Sequence, residues 1–168
     1  MSQESLVMHL PGLCYSTLQL DYLIICDKDA CAAKILKLFE AWAKDKVSGI
    51  EQAKQHNAAA IREGREPTHD ESGWMYNTIP NLERRLLFEY SEKTIRKALK
   101  FLEDKGYIVS RHNPQYRWDR TKQYHFQAAI VQRAIFAIKP ECLASYYTET
   151  DPIKAETLGF MHLVNLPD

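Results

Sequence analysis

The segment SEKTIRKALKFLEDKG, residues 91–106, constrains this chain more than any other stretch. Ile95, Ala98, Leu99 and Leu102 recur at three- and four-residue steps, so they share one face of an α-helix. Lys93, Lys97 and Lys100 fall on the opposite face, with Arg96 beside them. Ser91 is suited to cap the N-terminus, and Glu92 complements the positive end of the helix dipole. Gly106 supplies the left-handed residue that stops the helix. A helix with an apolar stripe and a cationic ridge lies on the surface of a core that its neighbours must build.

Those neighbours are legible on both sides. WMYNT, residues 74–78, predicts a short strand that runs into a helix cap at Thr78 or Asn77. A helix carrying Ile79, Leu82, Leu86 and Leu87 follows, with Pro80 tolerated in its first turn, and LFEY makes the turn into the helix at 91. After Gly106, residues 107–110 predict a strand, RHNPQYRWD turns, and RTKQYHF returns as a second strand. Trp118 and Tyr124 are expected to anchor this hairpin on the core, and Arg120 to pair with Asp119 or with a helix acid.

Further out the reading is coarser. Ala32, Ile35, Leu36, Phe39, Trp42 and Ala43 predict an amphipathic helix over 28–44, capped by Asp27 or Asp29. Before it, YSTLQLDYLII reads as extended, behind an N-terminal arm. Residues 45–73 are polar, with a weak helix over 48–63 marked by Val47, Ile50, Ala53 and Ile61, and then the breakers Gly64, Pro67 and Gly73. They predict an excursion from the core or a flexible loop. Ala128, Val131, Ile135 and Ile138 predict a helix over 127–138 that ends at Lys139–Pro140, with a third strand through AIFAI as the alternative. The expected fold class is therefore mainly α with a small β-hairpin (α+β).

The formal net charge is zero, but it is unevenly spread. Residues 91–126 hold nine Lys or Arg against four acids, a local excess of five positive charges that the rest of the chain cancels. A lysine-rich outer helix face is, by itself, usually just solvated. Here it coincides with a preceding helix, a capping Ser at the turn, a Gly stop and a basic hairpin. That order is the layout of a winged helix-turn-helix. In that layout the second helix offers short polar and cationic groups to the major groove, and the hairpin, or wing, contacts phosphates. Ser91, Lys93, Thr94, Arg96, Lys97 and Lys100 are the candidates on the helix. Arg111, His112, Asn113, Gln115, Tyr116, Arg117 and Lys122 are the candidates on the wing. The domain plan is an arm at 1–27, the winged helix-turn-helix at 28–126 including the polar excursion 45–73, and an extension at 127–168 for packing or dimerisation.

These motifs, in this order, resemble the helix-turn-helix region of phage and plasmid replication proteins of the replisome-organiser type. The resemblance rests on W-x-Y-N-T at Trp74–Thr78, an aromatic–Ser–x–x–Thr–Ile run at Tyr90–Ile95, L-E-x-K-G at Leu102–Gly106 and the Asp–Arg–Thr–x–x–Tyr wing strand within Trp118–Tyr124. It covers residues 18–126, while 45–73 is longer than usual and the last 40 residues have no counterpart. It implies a sequence-specific double-stranded DNA-binding protein in replication initiation or replisome organisation, with replication proteins as partners and a homodimer as the expected assembly. A transcriptional regulator would look the same in sequence, and the alternative is a protein–protein adaptor on the same fold.

Other functions find little footing. The chain has no G-x-S-x-G, no P-loop and no paired carboxylates tied to a predictable pocket, so no enzyme and no cofactor is expected. His69–Asp70–Glu71 lacks a second ligand pair at usable spacing, and Cys14, Cys26, Cys31 and Cys142 lack zinc-finger spacing, so no metal is expected either. The cysteines are expected to be free thiols. With an acidic residue near the N-terminus and no long apolar run, the expected location is cytoplasmic and the expected partners exclude membrane.

Overall fold

The computed structural model describes residues 16–114, 118–144 and 146. Among the described residues six helices and three strands run in the order α1 (Leu20–Ile25), α2 (Ala30–Arg62), β1 (Met75–Tyr76), α3 (Ile79–Arg85), α4 (Glu92–Asp104), β2 (Ile108–His112), β3 (Lys122–Phe126), α5 (Ala128–Phe136) and α6 (Pro140–Ala144). The chain is mainly helical with one small antiparallel sheet, in the strand order β1-β3-β2.

The core forms where α2 crosses α4 and the sheet. Ile35, Leu36 and Phe39 of α2, Leu82 and Leu86 around α3, Ile95 and Leu102 of α4 and Ile108 of β2 are all essentially inaccessible. Phe39 meets Tyr124 of β3 at 5.2 Å between ring centroids and Trp42 edge-on at 5.6 Å, so one aromatic cluster joins the long helix to the central strand. Cys26 and Cys31 are buried free thiols, and desolvation pushes both up to about 12, which keeps them protonated fillers.

The helix ends follow their local chemistry. Asp29 caps α2 by accepting from the Ala32 N–H at 3.0 Å, Thr78 caps α3 from Asn81, and Ser91 caps α4 from Thr94 at 3.3 Å. Gly64 and Gly106 both have positive φ just past a helix end, and in each case the next N–H reaches back five residues to close the turn. The turns after α1 and α3 close in the same way through non-glycine pairs, Asp27–Lys28 and Leu87–Phe88, all four at φ between 53° and 65°.

Three expectations need correction. Residues 20–25, expected to be extended, form α1. The β-branched pair Ile24–Ile25 suits a strand, but Tyr22 and Ile25 are buried where α1 packs on α2 and α5, and this packing overrides propensity. The Tyr107 hydroxyl fixes the end of α1 by donating to the Ile25 carbonyl at 3.2 Å. Second, the helix expected to stop near residue 44 continues to Arg62 as one 33-residue helix, ~50 Å long at 1.5 Å per residue. The polar run Ala43–Ser48 contains good helix formers and no breaker.

Third, Trp118 does not anchor the hairpin. It is 81% exposed, and Tyr124 alone fulfils that expectation at 4%. Asp119, for its part, accepts from the Thr121 N–H at 2.9 Å. After the sheet the helical alternative holds, as α5, with Pro140 opening α6.

The distal half of α2 is not a loose excursion. Buried Asn57 grips the returning segment: its amide donates to the His69 carbonyl (3.0 Å) and the Glu71 carboxylate (2.7 Å), and its carbonyl accepts from the His69 N–H (3.1 Å). Lys46 pairs with Asp70 at 3.0 Å. Gly49 is the weak point of this arm, because a glycine inside a helix costs backbone entropy and a Cβ there would meet nothing within 4 Å. Gly49→Ala is therefore expected to stabilise the fold by about 0.5–1 kcal/mol. Urea denaturation checks this, and a loss of stability would show that α2 is not continuous through residue 49.

Candidate nucleic-acid interface

Helix α4 carries its buried stripe of Ile95, Ala98, Leu99 and Leu102 inward, which turns Lys93, Thr94, Arg96, Lys97 and Lys100 to solvent. These cations are not equivalent. Arg96 is paired with Glu92 one turn before it (2.6 Å), and Lys100 with Asp104 one turn after it (3.1 Å). Among the described residues Lys93 and Lys97 have no such partner. Exposed i,i+4 pairs contribute little and open readily to a stronger anion. Ser91 and Thr94 share a hydroxyl contact at 3.0 Å on top of the cap, so the Ser91 side chain is largely committed to the helix end.

The hairpin sorts its side chains by strand parity. His112 pairs in register with Lys122, Ser110 with Tyr124 and Ile108 with Phe126, and these residues face α4 and the core. Arg111 pairs with Gln123 and Val109 with His125, on the opposite face. The wing candidates are therefore split between two places.

On the α4 side lies a cleft of about 690 Å³, walled by Arg96 and Lys100 on the helix and by His112, Arg120 and Lys122 on the hairpin, over an apolar floor of Ile79, Leu99 and Tyr124. Its acid is Glu103. The Lys122 ammonium lies 3.7 Å from Glu103 Oε1, which is buried with no hydrogen-bond partner among the described residues. Burial, and then the Glu103 charge, push the Tyr124 phenol up to about 12, so it is neutral at ordinary pH.

On the other side, Arg111 stacks its guanidinium 4.0 Å from the Trp74 ring centroid and donates to the Gln123 carbonyl at 2.7 Å. Asn113 is buried and donates to the Tyr76 hydroxyl at 2.9 Å. Both residues brace the hairpin against β1 and the segment before it, which takes Asn113 off the accessible surface and occupies Arg111. Gln115, Tyr116 and Arg117 lie outside the described residues.

Of the candidates read from sequence, α4 and the cleft thus bring together Lys93, Thr94, Arg96, Lys97, Lys100, His112 and Lys122, with Ser91 at the helix end. Arg120 is the missed member of the cleft. It lies just before β3, outside the strand, so no local pattern marked it as facing the cleft. Glu103 was missed as well, because a lone acid at the end of a basic helix gives no hint that one oxygen becomes buried.

Among the described residues no group of three or more His, Cys, Asp or Glu side chains is arranged to hold a metal ion, and no helix is long and apolar enough to cross a membrane. No protein-family model, no curated protein and no solved structure matches this chain.

Proposed function

We propose that this chain is a sequence-specific double-stranded DNA-binding protein of the winged helix-turn-helix type, with α3 and α4 as the helix pair and β2–β3 as the wing. The observation that carries the reading is the clustering of cations along one continuous surface. Lys93 and Lys97 form a ridge on α4, while Arg96, Lys100, His112, Arg120 and Lys122 line the adjoining cleft. A polyanion of regular repeat fits such a surface, and release of its counterions supplies the affinity. Thr94 and the capped first turn of α4 lie where base edges would be read, and the cleft cations lie where phosphates would set register.

The role proposed for that activity is replication initiation or replisome organisation on phage or plasmid DNA. This rests on the sequence resemblance and on the absence from the chain of a nucleotide-binding P-loop, which leaves DNA binding and recruitment of replication proteins as the means of action. A homodimer on a two-fold site suits this role.

Fluorescence anisotropy of random and candidate-origin duplexes across a salt series tests the reading. Micromolar binding that weakens log-linearly with salt is expected, tightening on a specific site by about 10³-fold or more. No duplex binding at low salt would reject it in favour of a protein-binding adaptor.

A further inference from the structure

Helix α5 lacks the polar outer face that a surface helix normally carries. Only Val131 of its nine residues is fully buried, yet Arg133 is its one charged residue. The side chains it turns to solvent are Ala128, Ala129, Gln132, Arg133 and Phe136, with Ala137 exposed at its C-cap. A helix lying on a solvated surface shows polar and charged groups there. Phe136 is instead 43% exposed.

The exposed stripe is its own complement. Laid antiparallel on a second α5, about a two-fold axis between Gln132 and Arg133, it sets Ala129 opposite Phe136, Ala128 opposite Ala137 and Gln132 opposite Arg133. Each large ring then meets a small residue, so the two helices interdigitate and their backbones approach closely. Steps of three and four residues keep these contacts on one seam.

Charge favours the same arrangement. The Gln132 side of α5 borders a groove of about 600 Å³ shared with α1 and α2, whose acids are Asp21 and Glu40. Glu40 is taken by Tyr22, Lys37 and Lys44. Asp21 accepts from the Gln19 amide at 3.3 Å and from the Tyr22 N–H at 2.8 Å, both neutral donors. Among the described residues neither Asp21 nor Arg133 belongs to an ion pair. An Arg133 set opposite Gln132 of the other copy stands at that groove. Val47, 66% exposed in the groove, extends the contact beyond a helix only ~13.5 Å long.

We infer that α5 is the interface between two copies of this chain, packed antiparallel across a two-fold axis. Phe136 of each copy covers Ala129 of the other, and Arg133 pairs with the other copy's Asp21. This rests on the homodimer proposed above and gives it a location, independently of what α4 binds.

Sedimentation velocity of the full chain over a concentration series tests it. A monomer–dimer equilibrium in about the micromolar range is expected for a contact of this modest size. Phe136→Glu is expected to weaken it by about 10³-fold, since an aromatic hot spot is worth ~30-fold and symmetry places it on the seam twice. Arg133→Glu and Asp21→Arg are each expected to weaken it roughly tenfold, and the double variant to restore it. Circular dichroism and urea unfolding establish that each variant is folded, and the charge exchange decides the matter even if Phe136→Glu does not fold. A dimer unmoved by Phe136→Glu and by both charge changes overturns the inference and leaves a homodimer with its interface elsewhere. A monomer at every concentration overturns both, and a lower urea midpoint for monomeric Phe136→Glu would show that the chain itself covers the stripe. Duplex anisotropy on the same samples is read separately: a dimer through α5 that binds no DNA supports this interface while rejecting the DNA reading.

Discussion

Replacing Lys93, Lys97 and Lys100 together with alanine is expected to weaken duplex binding by about 10²–10³-fold at 0.1 M salt. Each neutralised phosphate releases counterions worth ~0.9 unit in the slope of log affinity against log salt, which at 0.1 M is roughly eightfold per contact. Three contacts multiply to that range, and the slope itself falls by about 2.7 units. Lys100 contributes least, because leaving Asp104 costs it an existing partner at 3.1 Å. The fold is expected to be untouched, since all three side chains are exposed and α4 keeps its buried stripe. Anisotropy across a salt series, with circular dichroism on the same samples, separates the two effects. A variant that binds with unchanged slope would mean that this ridge is merely solvated and that α4 is not the helix facing DNA.

Phe39→Ala is expected to have the largest effect on stability, a loss of about 3–5 kcal/mol. The ring is fully buried and touches Trp42 on its own helix and Tyr124 on the central strand. Its removal leaves a void between α2 and the sheet that neither rigid element can close, so the cavity cost adds to the lost transfer energy. Against a typical total of about 5–15 kcal/mol, that brings the domain close to unfolding at physiological temperature. Urea unfolding with an unchanged slope and a lower midpoint is the expected signature. A cost below about 1 kcal/mol would show that α2 does not pack on the sheet through this residue.

Both predictions draw on features with different origins. Helix α4 was legible from its letters because everything that defines it is local. Its apolar period, Ser91 cap and Gly106 stop are backbone physics within 16 residues, and the structure reproduces the cap and the stop. The same holds for α3 behind Thr78 and for the strands either side of the wing turn. Where sequence reading went astray, the deciding interaction came from far away. Residues 20–25 are helical because α2 and α5 bury Tyr22 and Ile25, and no local signal records that. The distal half of α2 is ordered because Asn57 grips His69 and Glu71, 12 and 14 residues further on.

The candidate site divides in the same way. The sequence by itself determined which cations sit on the outer face of α4, since helical period alone assigns Lys93, Lys97 and Lys100 there. It could not apportion the wing, whose residues differ in role by parity. Only the register of His112 on Lys122 and Arg111 on Gln123 decided that Lys122 faces the cleft while Arg111 stacks on Trp74, and only the packed hairpin brought Arg120, which precedes β3, to the same cleft. Only the packed structure showed Tyr124 buried and Trp118 exposed. A one-residue slip would exchange the two faces, and register is settled by pairing and by which face meets the core, both properties of the assembled sheet.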